Sequence, residues 1–288
     1  MGYMHIDNLY KDQRILAFPK CYALEKVHGT SAHVGWNGER VYLFSGGASQ
    51  GAFASLFDAD ALAAAMAALG QAKVVVYGEA YGGKMQRMSA TYGPGLRFVA
   101  FDVLVGDRWL NVPEAQAVVS GLGIEFVPWS EIDVTLPAID AERDRSSEIA
   151  IRRGCGTDKM REGVVLRPII EAVDFRGNRI IVKHKRDEFR ETSEPRRVVD
   201  PAQLSAVADA NAIAAEWVTE MRLTHVLDAF GQVNGMEQTG AIINAMIADV
   251  EREAAGEIVV SKGARHAISK RTAQMLKARL VAKLVSAN

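Results

Sequence analysis

Lys26 is the first residue of this 288-residue chain whose setting suggests chemistry, in the segment 24–30 (LEKVHGT). The pattern predicts a strand that ends at the lysine, just before a tight loop. A lysine amine can act as a covalent nucleophile, although free lysine is neutral in only about one molecule in a thousand near neutral pH. By itself the segment also fits a surface lysine beside a turn, since Lys-x-x-Gly arises about once by chance in a chain of this length.

Two carboxylates lie at the ends of apolar strands. Glu79 ends the run 74–79 (VVVYGE) among glycines, which let a backbone approach a ligand closely, and it could accept a hydrogen bond from a ribose hydroxyl. Glu162 leads the run 163–167 (GVVLR), where it could bind a ribose or a hard metal ion such as Mg²⁺. Each segment alone also fits a strand end with a solvated glutamate.

Lys183 and Lys185 alternate along another strand-like run and therefore share one face. Two like charges side by side are unfavourable unless an anion lies between them, so the pair indicates a phosphate site. An exposed basic edge strand has the same pattern. On a further strand, Phe98 and Phe101 point to opposite faces, so that one fills the core and the other could stack on a base, unless both are core residues.

The elements that must position these side chains form an α+β arrangement. Asn37-Gly38 between two alternating runs predicts a hairpin over residues 31–44. Further strands are predicted over 73–78, 96–105, 124–127, 163–167 and 179–185, and a helix is predicted from Pro113 to Gly121 or Gly123. From about Pro201 the apolar spacing becomes helical. We therefore predict antiparallel sheets with flanking helices over residues 1–195 and a small all-helical domain over 196–288.

Net charge, cysteine usage and hydropathy predict a reduced, non-membrane protein without an overall basic charge. The formal net charge is −1, so a nucleic-acid surface would need local clusters of basic residues. Cys21 and Cys155 have no metal-ligand spacing and fit reduced thiols. Neither a secretory leader nor a bilayer-spanning run is present in the sequence, so we expect a cytoplasmic protein.

The order of five motifs is more specific than any one of them. Lys-x-x-Gly, strand-Gly-Glu, Phe-Asp, Glu-Gly-Val-Val and Lys-x-Lys, in that sequence and spacing, resemble the covalent nucleotidyltransferase superfamily of ligases and capping enzymes. Within it, the segments 25–30 (EKVHGT), 77–82 (YGEAYG) and 182–185 (VKHK) are similar to the RNA ligase 2 branch, which holds phage nick-sealing ligases and trypanosome editing ligases. The resemblance covers roughly residues 20 to 190.

The resemblance implies an ATP-dependent RNA ligase with a nucleotidyltransferase domain. Lys26 would attack ATP and carry AMP, pass it to an RNA 5′-phosphate, and a neighbouring 3′-OH would then displace it. Mg²⁺ or Mn²⁺ would assist, and the substrate would be RNA with 3′-OH and 5′-phosphate ends, as nicks in duplexes. We expect a monomer.

The resemblance also assigns roles to residues. Glu79 would bind the ribose, Phe101 would stack on adenine with Asp102 following it, and Glu162 would hold the metal and nucleotide. Lys183 and Lys185 would neutralise the phosphates.

Three further assignments concern the nucleophile's own motif. Glu25 and Gly29 would belong to the nucleotide site. His28 would serve the RNA-dependent steps, although a loop histidine bonded to backbone is the alternative.

One position departs from the family pattern. Relatives carry a basic residue where this chain has Ser45, ahead of Gly46 and Gly47. Either the contact is lost, or Arg40, Lys84 or Arg87 supplies it.

A basic run without acidic residues ends the chain, and it is predicted to bind the RNA backbone. It comprises Lys262, Arg265, Lys270, Arg271, Lys277, Arg279 and Lys283, with His266 as a further member. The alternative is a helix packed on the acidic part of its own domain.

Two other functions stay open at this stage. A DNA ligase or capping enzyme would carry an OB-fold after the Lys-x-Lys strand, where this chain has a helical pattern. A non-catalytic nucleotide- or RNA-binding protein would have little need for Lys26.

Overall fold

The computed structural model describes residues 2–70, 73–194, 198, 208–230 and 236–285. The chain forms two compact units, of which the first ends at Arg186 and the second begins at Asp187. The domain boundary predicted near residue 195 lies outside the described residues.

The first unit contains two five-stranded sheets. In chain order, its strands are β1 (Asp7–Asn8), β2 (Lys20–Lys26), β3 (Thr30–Trp36), β4 (Val41–Ser45), β5 (Val74–Tyr81), β6 (Arg97–Val105), β7 (Arg108–Trp109), β8 (Trp129–Asp133), β9 (Gly163–Pro168) and β10 (Val182–Lys185). Sheet A has the order β1-β10-β9-β2-β8, and sheet B has the order β4-β3-β5-β6-β7. Every pairing is antiparallel except that of β1 with β10. The predicted α+β class with antiparallel sheets is confirmed.

Helices flank these sheets and make up the described elements of the second unit. They are α1 (Gln50–Ala54), α2 (Ala59–Ala67), α3 (Ser89–Tyr92), α4 (Val112–Gly121), α5 (Leu136–Arg143), α6 (Glu148–Arg152), α7 (Ala210–Trp217), α8 (Glu220–Asp228), α9 (Thr239–Glu253) and α10 (Lys262–Val285). Helix α4 matches the predicted helix, with a capping box of Asn111 and Glu114 at its start. None of the described helices is long and apolar enough to cross a membrane.

The β3–β4 hairpin forms where Asn37-Gly38 predicted it. Gly38 has a φ of 99°, and the Asn37 side chain accepts hydrogen bonds from the backbone of Glu39 and Arg40. The hairpin leaves Val41 and Leu43 on the face that packs into the core, so its register is set by the alternation of side chains.

The strand predicted over residues 124–127 is wrong. That segment makes only an isolated bridge between Phe126 and Ala100, and the strand is β8, which starts at Trp129. Pro128 lies between them and has no N–H to continue the ladder, so the segment leaves β6 and joins sheet A. The strand predicted from Arg179 likewise begins only at Val182.

A buried ion-pair network joins the facing sides of the two sheets. Asp102 of β6 is fully buried and lies 3.0 Å from Arg167 of β9 and 2.7 Å from Arg179. The Tyr3 hydroxyl donates to the same carboxylate at 2.6 Å. Because these partners come from both sheets and from the N-terminal segment, the network fixes the sheets against each other.

The second unit has its own core. Helices α7 to α10 pack around Trp217, Leu223, Ile242, Met246 and Ile268. The predicted helical C-terminal region is confirmed for the described residues.

Asp102→Ala should destabilise the first unit strongly, because it would leave Arg167 and Arg179 buried without their anion. Loss of one partner from a buried ion pair costs about 3–5 kcal/mol. Urea unfolding measures the change. The control is Glu131→Ala, which removes the exposed pair with Lys20 (2.8 Å) and should cost about 1 kcal/mol or less. Equal losses in the two variants would contradict the prediction.

Candidate active site

Three neighbouring strands of sheet A bring two lysines to one glycine. Lys26, at the end of β2, pairs with Gly163, and Lys185, at the end of β10, pairs with the same residue from the other side. Paired residues on antiparallel strands share a face, so both lysines flank a position without a side chain. A Cβ at Gly163 would lie 2.2 Å from the His184 carbonyl oxygen, so only glycine permits this approach.

Glu162 places its carboxylate between the two lysines. The Lys26 Nζ donates to Glu162 Oε2 at 3.1 Å, and the Lys185 Nζ lies 3.0 Å from Oε1. The glutamate side chain is 1 % exposed. Burial alone would raise the pKa of Glu162, but Lys185, Lys26 and His28 together hold that pKa well below its usual range. Glu162 is therefore an anion that three cationic or polar groups share.

His28 is buried against the same carboxylate. Its Nδ1 lies 3.1 Å from Glu162 Oε2, and its backbone N–H donates to the Tyr92 hydroxyl at 3.3 Å. The imidazole therefore contacts a side chain of the cluster, whereas the alternative for His28 was a loop histidine bonded to backbone.

Glu79 approaches the cluster from sheet B. On β5 it pairs with Ser31 of β3, and the Gly29 N–H donates to its carboxylate. Gly29 has no room for a side chain, because a Cβ there would lie 2.3 Å from the Ala80 carbonyl oxygen. Burial raises the pKa of Glu79 to about 7; Glu162 adds to this rise and Lys26 opposes it. The charges of Lys26 and Glu162 therefore influence the pKa of Glu79.

Lys183 lies one residue pair further along the same face of β10. It pairs with Val165 of β9, which in turn pairs with Leu24 of β2. Val165 is only partly buried, whereas Val164 and Leu166 on either side are fully buried. Sequence reasoning missed Val165 as an apolar surface of the site, because a valine in an apolar strand carries no distinguishing signal.

The side chain of Glu25, which the resemblance assigned to the nucleotide site, is not brought into the cluster. It points to the opposite face of β2, where it accepts from the Ser147 hydroxyl at 2.5 Å and from the Glu148 N–H at 2.9 Å. Arg161 lies 4.0 Å away. Burial raises the pKa of Glu25, while Ser147 and Arg161 oppose that rise. Alternation along the strand is the physical reason, since adjacent residues cannot face the same side.

Phe98 and Phe101 point to opposite sides of sheet B. Phe98 packs in the core against Phe53, with ring centroids 5.4 Å apart. Phe101 falls at a register shift of the β5–β6 ladder and is partly buried, with its ring 4.9 Å from that of Tyr3. Asp102 is occupied by the network between the sheets described above.

The region of Ser45 contains no basic side chain in strand β4. Arg40 precedes the other end of that strand, roughly 13–17 Å away along the chain, so it cannot replace the missing residue at Ser45. Lys84 and Arg87 are exposed on the loop after β5. Gln86 and Arg87 both have positive φ there, 49° and 59°, a backbone conformation that is unfavourable for residues other than glycine.

Within the described residues, no group of three or more His, Cys, Asp or Glu side chains could hold a metal ion by itself. Glu162 supplies one carboxylate, with Glu79 nearby. This set fits Mg²⁺ or Mn²⁺, which bind through one or two carboxylates and take phosphate and water oxygens for the remaining ligands.

The basic residues of α10 divide into two groups. Arg265 pairs with Glu251 at 2.6 Å, Arg271 donates to the Val218 carbonyl at 2.9 Å, and Arg279 donates to the Thr224 hydroxyl at 3.0 Å. These arginines contact other residues of their own unit, which is the alternative that the sequence left open; that Arg265 and Arg271 bind RNA stays a prediction.

The other group is exposed and lies on one side of the helix. It comprises Lys262, His266, Lys270 and Lys277. Residues 4, 8 and 15 positions after Lys262 lie within about 80° of it around the axis of an α-helix. The structure therefore presents a basic stripe on α10, made of these four residues.

Glu79→Gln should change the pH dependence of stability. The pKa of Glu79 is about 7 in the folded protein and roughly 4.3 in an unfolded chain, so the folded state holds the extra proton between these values. Stability of the wild type therefore falls as pH rises from about 4.5 to 7. Relative to it, the variant should gain about 1–3 kcal/mol at pH 8 and almost nothing at pH 5, by chemical denaturation. A difference that is constant with pH would contradict this.

Comparisons with known proteins concern the fold and the family of this chain. The structure is similar to solved structures of an RNA ligase from Naegleria gruberi. A variant with AMP and Mn has 15 % identity and a TM-score of 0.52, over 66 % of this chain and 57 % of that one. A variant with ATP and Mn has 16 % identity and a TM-score of 0.51, over 66 % and 56 %. At this identity the likeness concerns the fold, and the chain spans just over half the length of those ligases.

No curated protein matches the sequence at a significant level. The sequence model of the family described as RNA ligase matches residues 19–185, from the start of β2 to Lys185. That span contains the whole Lys26–Glu162–Lys185 cluster. Because the match covers more than half of the chain, this protein belongs to the RNA ligase family.

Proposed function

We propose that this protein is an ATP-dependent RNA ligase that joins a 3′-OH to a 5′-phosphate, with nicks in duplex RNA as its substrate class. The observation that carries the proposal is Glu162 between Lys26 and Lys185, in a chain that belongs to the RNA ligase family. A lysine held at the end of a strand by a buried carboxylate is a positioned nucleophile.

In the first step the Lys26 Nζ, as the neutral amine, attacks the α-phosphorus of ATP. An N–P bond forms, the bond from the α-phosphorus to the bridging oxygen breaks, pyrophosphate leaves, and the amine loses a proton. Lys183 and Lys185 share the face of Lys26 and stabilise the charge that moves onto the phosphate oxygens. Glu79 binds the ribose, and Phe101 with Val165 offers apolar surface to the adenine.

In the second step a phosphate oxygen of the RNA 5′ end attacks the same phosphorus, and the N–P bond to Lys26 breaks. In the third step the 3′-OH attacks the RNA 5′-phosphorus and AMP leaves, which forms the phosphodiester. His28 holds Glu162 and so acts on these steps by keeping the carboxylate in place.

Mg²⁺ or Mn²⁺ would be held by Glu162 together with phosphate oxygens. When bound, such an ion neutralises phosphate charge and orients the leaving group. ATP is the preferred nucleotide in this proposal, as the Naegleria ligase structures with ATP or AMP and Mn suggest for that protein.

The helical second unit supports a ligase of RNA over a DNA ligase or capping enzyme. Those relatives would place a β-barrel domain after the Lys-x-Lys strand, whereas the described elements after Lys185 are helices.

Incubation with α-labelled ATP and Mg²⁺ should label the protein at Lys26, and a nicked RNA duplex should release the label. Lys26→Ala should show no label on a denaturing gel. The matched control is Lys20→Ala, which removes a lysine from the exposed start of the same strand and should label like wild type. Protein first stripped of AMP that takes no label would overturn the proposal.

The stripe on α10 is our proposed contact with the RNA backbone. Lys262, Lys270 and Lys277 are exposed, and the helix carries them over roughly 22 Å, long enough to meet several phosphates. For the described residues, the structure gives these three lysines no ion-pair partner.

Replacing Lys262, Lys270 and Lys277 together by Ala should weaken RNA binding and flatten its salt dependence. Each phosphate contact contributes about 0.7–0.9 to the slope of log K against log salt, so the slope should fall by roughly 2–3. Binding titrations at several salt concentrations measure it.

The control for that measurement removes the same charge elsewhere. Lys20, Lys73 and Arg108 lie on the first unit, away from the Lys26 cluster, and their triple Ala variant should keep the wild-type slope. Equal slopes in both triple variants would show that α10 has no special part in binding.

A further inference from the structure

The side chain of His184, between the two lysines of β10 in sequence, points to the other face of the strand. Alternation places Lys183 and Lys185 on the face of the site and His184 behind it. There the His184 Nε2 lies 2.8 Å from Asp140 Oδ1 and 2.8 Å from Arg143 Nη1, both on α5. The histidine side chain is only 13 % exposed, so these contacts are largely shielded from water.

The residue on the other side of Lys185 is also bound to the end of α5. The Arg186 Nη1 donates to Asp144, directly after the helix, at 3.1 Å. The backbone N–H of Arg186 donates to the Glu162 carbonyl at 2.9 Å. Lys185 therefore lies between two residues whose side chains are held by the same turn of α5.

The end of α5 holds the residue before Glu162 as well. The Arg161 Nη1 donates to Glu142 of that helix at 2.9 Å, and both side chains are buried. Helix α5 thus contacts the chain next to each member of the ion pair between Glu162 and Lys185. Its last turn is placed to set the backbone on both sides of that pair.

Strand pairing holds the end of β10 from one side. Strand β1 pairs with Val182 and Lys183 and goes no further. In the part of the chain that the structure describes, β9 alone pairs with His184 and Lys185. The partner of Lys185 is Gly163, which offers no side chain to pack against it. A strand end with few backbone hydrogen bonds opens easily, so its position depends on contacts such as those of His184.

The imidazole of His184 accepts a hydrogen bond from Arg143 near neutral pH. Burial lowers the pKa of His184, while Asp140 opposes this fall and Arg143 adds to it. The ring is therefore uncharged near pH 7, and its Nε2 is an acceptor for Arg143, which also pairs with Asp140 at 2.8 Å. Hydrogen bonds from a charged donor are stronger than those between neutral groups.

We propose that His184 is a positioning residue, which fixes Lys185 against the phosphates of ATP by anchoring β10 to α5. The Lys185 Nζ lies 3.0 Å from Glu162 Oε1, and a shift of the strand by about 1 Å would take this contact beyond hydrogen-bond distance. The proposal rests on the proposed ligase function, in which Lys185 stabilises the charge on the phosphate oxygens.

The test measures binding of the α,β-methylene analogue of ATP, with Mg²⁺, to protein stripped of AMP. Carbon replaces the bridging oxygen of this analogue, so pyrophosphate cannot leave and binding is separated from labelling. His184→Ala should weaken binding about three- to tenfold, the scale of one lost hydrogen bond. His184→Gln should restore most of the affinity, because its amide oxygen can accept from Arg143.

A double-mutant cycle with Lys185→Ala separates positioning from a general structural role. If His184 acts through Lys185, His184→Ala should add less than about twofold to the loss that Lys185→Ala causes. Arg143→Ala removes the same contact from the side of the helix and should weaken binding like His184→Ala. The test therefore does not depend on the folding of one variant.

His225→Ala is the matched control. His225 of α8 is a half-buried histidine whose Nδ1 lies 3.2 Å from the Glu191 carboxylate, within the second unit. Its loss removes a comparable contact away from β10 and should leave binding of the analogue unchanged.

Two results would overturn this role of His184 and leave the ligase proposal standing. One is a His184→Ala protein that binds the analogue like the His225→Ala control. The other is an equal loss from His184→Ala in the presence and in the absence of the Lys185 side chain. Wild-type protein that binds no analogue would end both proposals.

Discussion

The buried carboxylate of Glu162 is the interaction on which the rest of the site depends. Lys26, Lys185 and His28 approach it within 3.0–3.1 Å, and without it they would bring positive charge together in a poorly solvated place. Burying an ion is costly unless partners compensate it, and here three partners do so. Their sequence positions are far apart, so strands β2 and β10 must end on either side of Gly163, where β9 begins, for the cluster to exist.

A second ion pair stands behind the first on sheet A. Glu25 and Arg161 directly precede Lys26 and Glu162. Glu25 faces away from Lys26 because side chains alternate along β2, and Arg161 lies 4.0 Å from it. The order of charges is reversed, with the anion on β2 and the cation before β9. Glu25 is also tied to the first residues of α6 through Ser147 and the Glu148 N–H. The end of β2 is thus held by contacts on both faces, which restricts the position of Lys26.

Short sequence patterns predicted the features that depend only on neighbouring residues. The Asn37-Gly38 hairpin and the shared face of Lys183 and Lys185 follow from turn chemistry and the two-residue period of strands. The bonds of Glu25 could not be predicted, because they involve Ser147, more than a hundred residues away, and a helix start that the sequence did not mark. The contact of Arg265 with Glu251 could not be predicted for a similar reason, since a one-signed run does not reveal which residue of another helix it faces.

The charges of the site explain why a divalent ion fits the proposed chemistry. Lys26, Lys183 and Lys185 face the site with Glu162, which leaves a small positive excess while Glu79 keeps its proton, below a pH of about 7. A triphosphate brings several negative charges, more than that excess can balance. Ionisation of Glu79 above neutral pH reduces the excess further. In the proposed function, a metal ion beside Glu162 would supply compensation for the remaining phosphate charge.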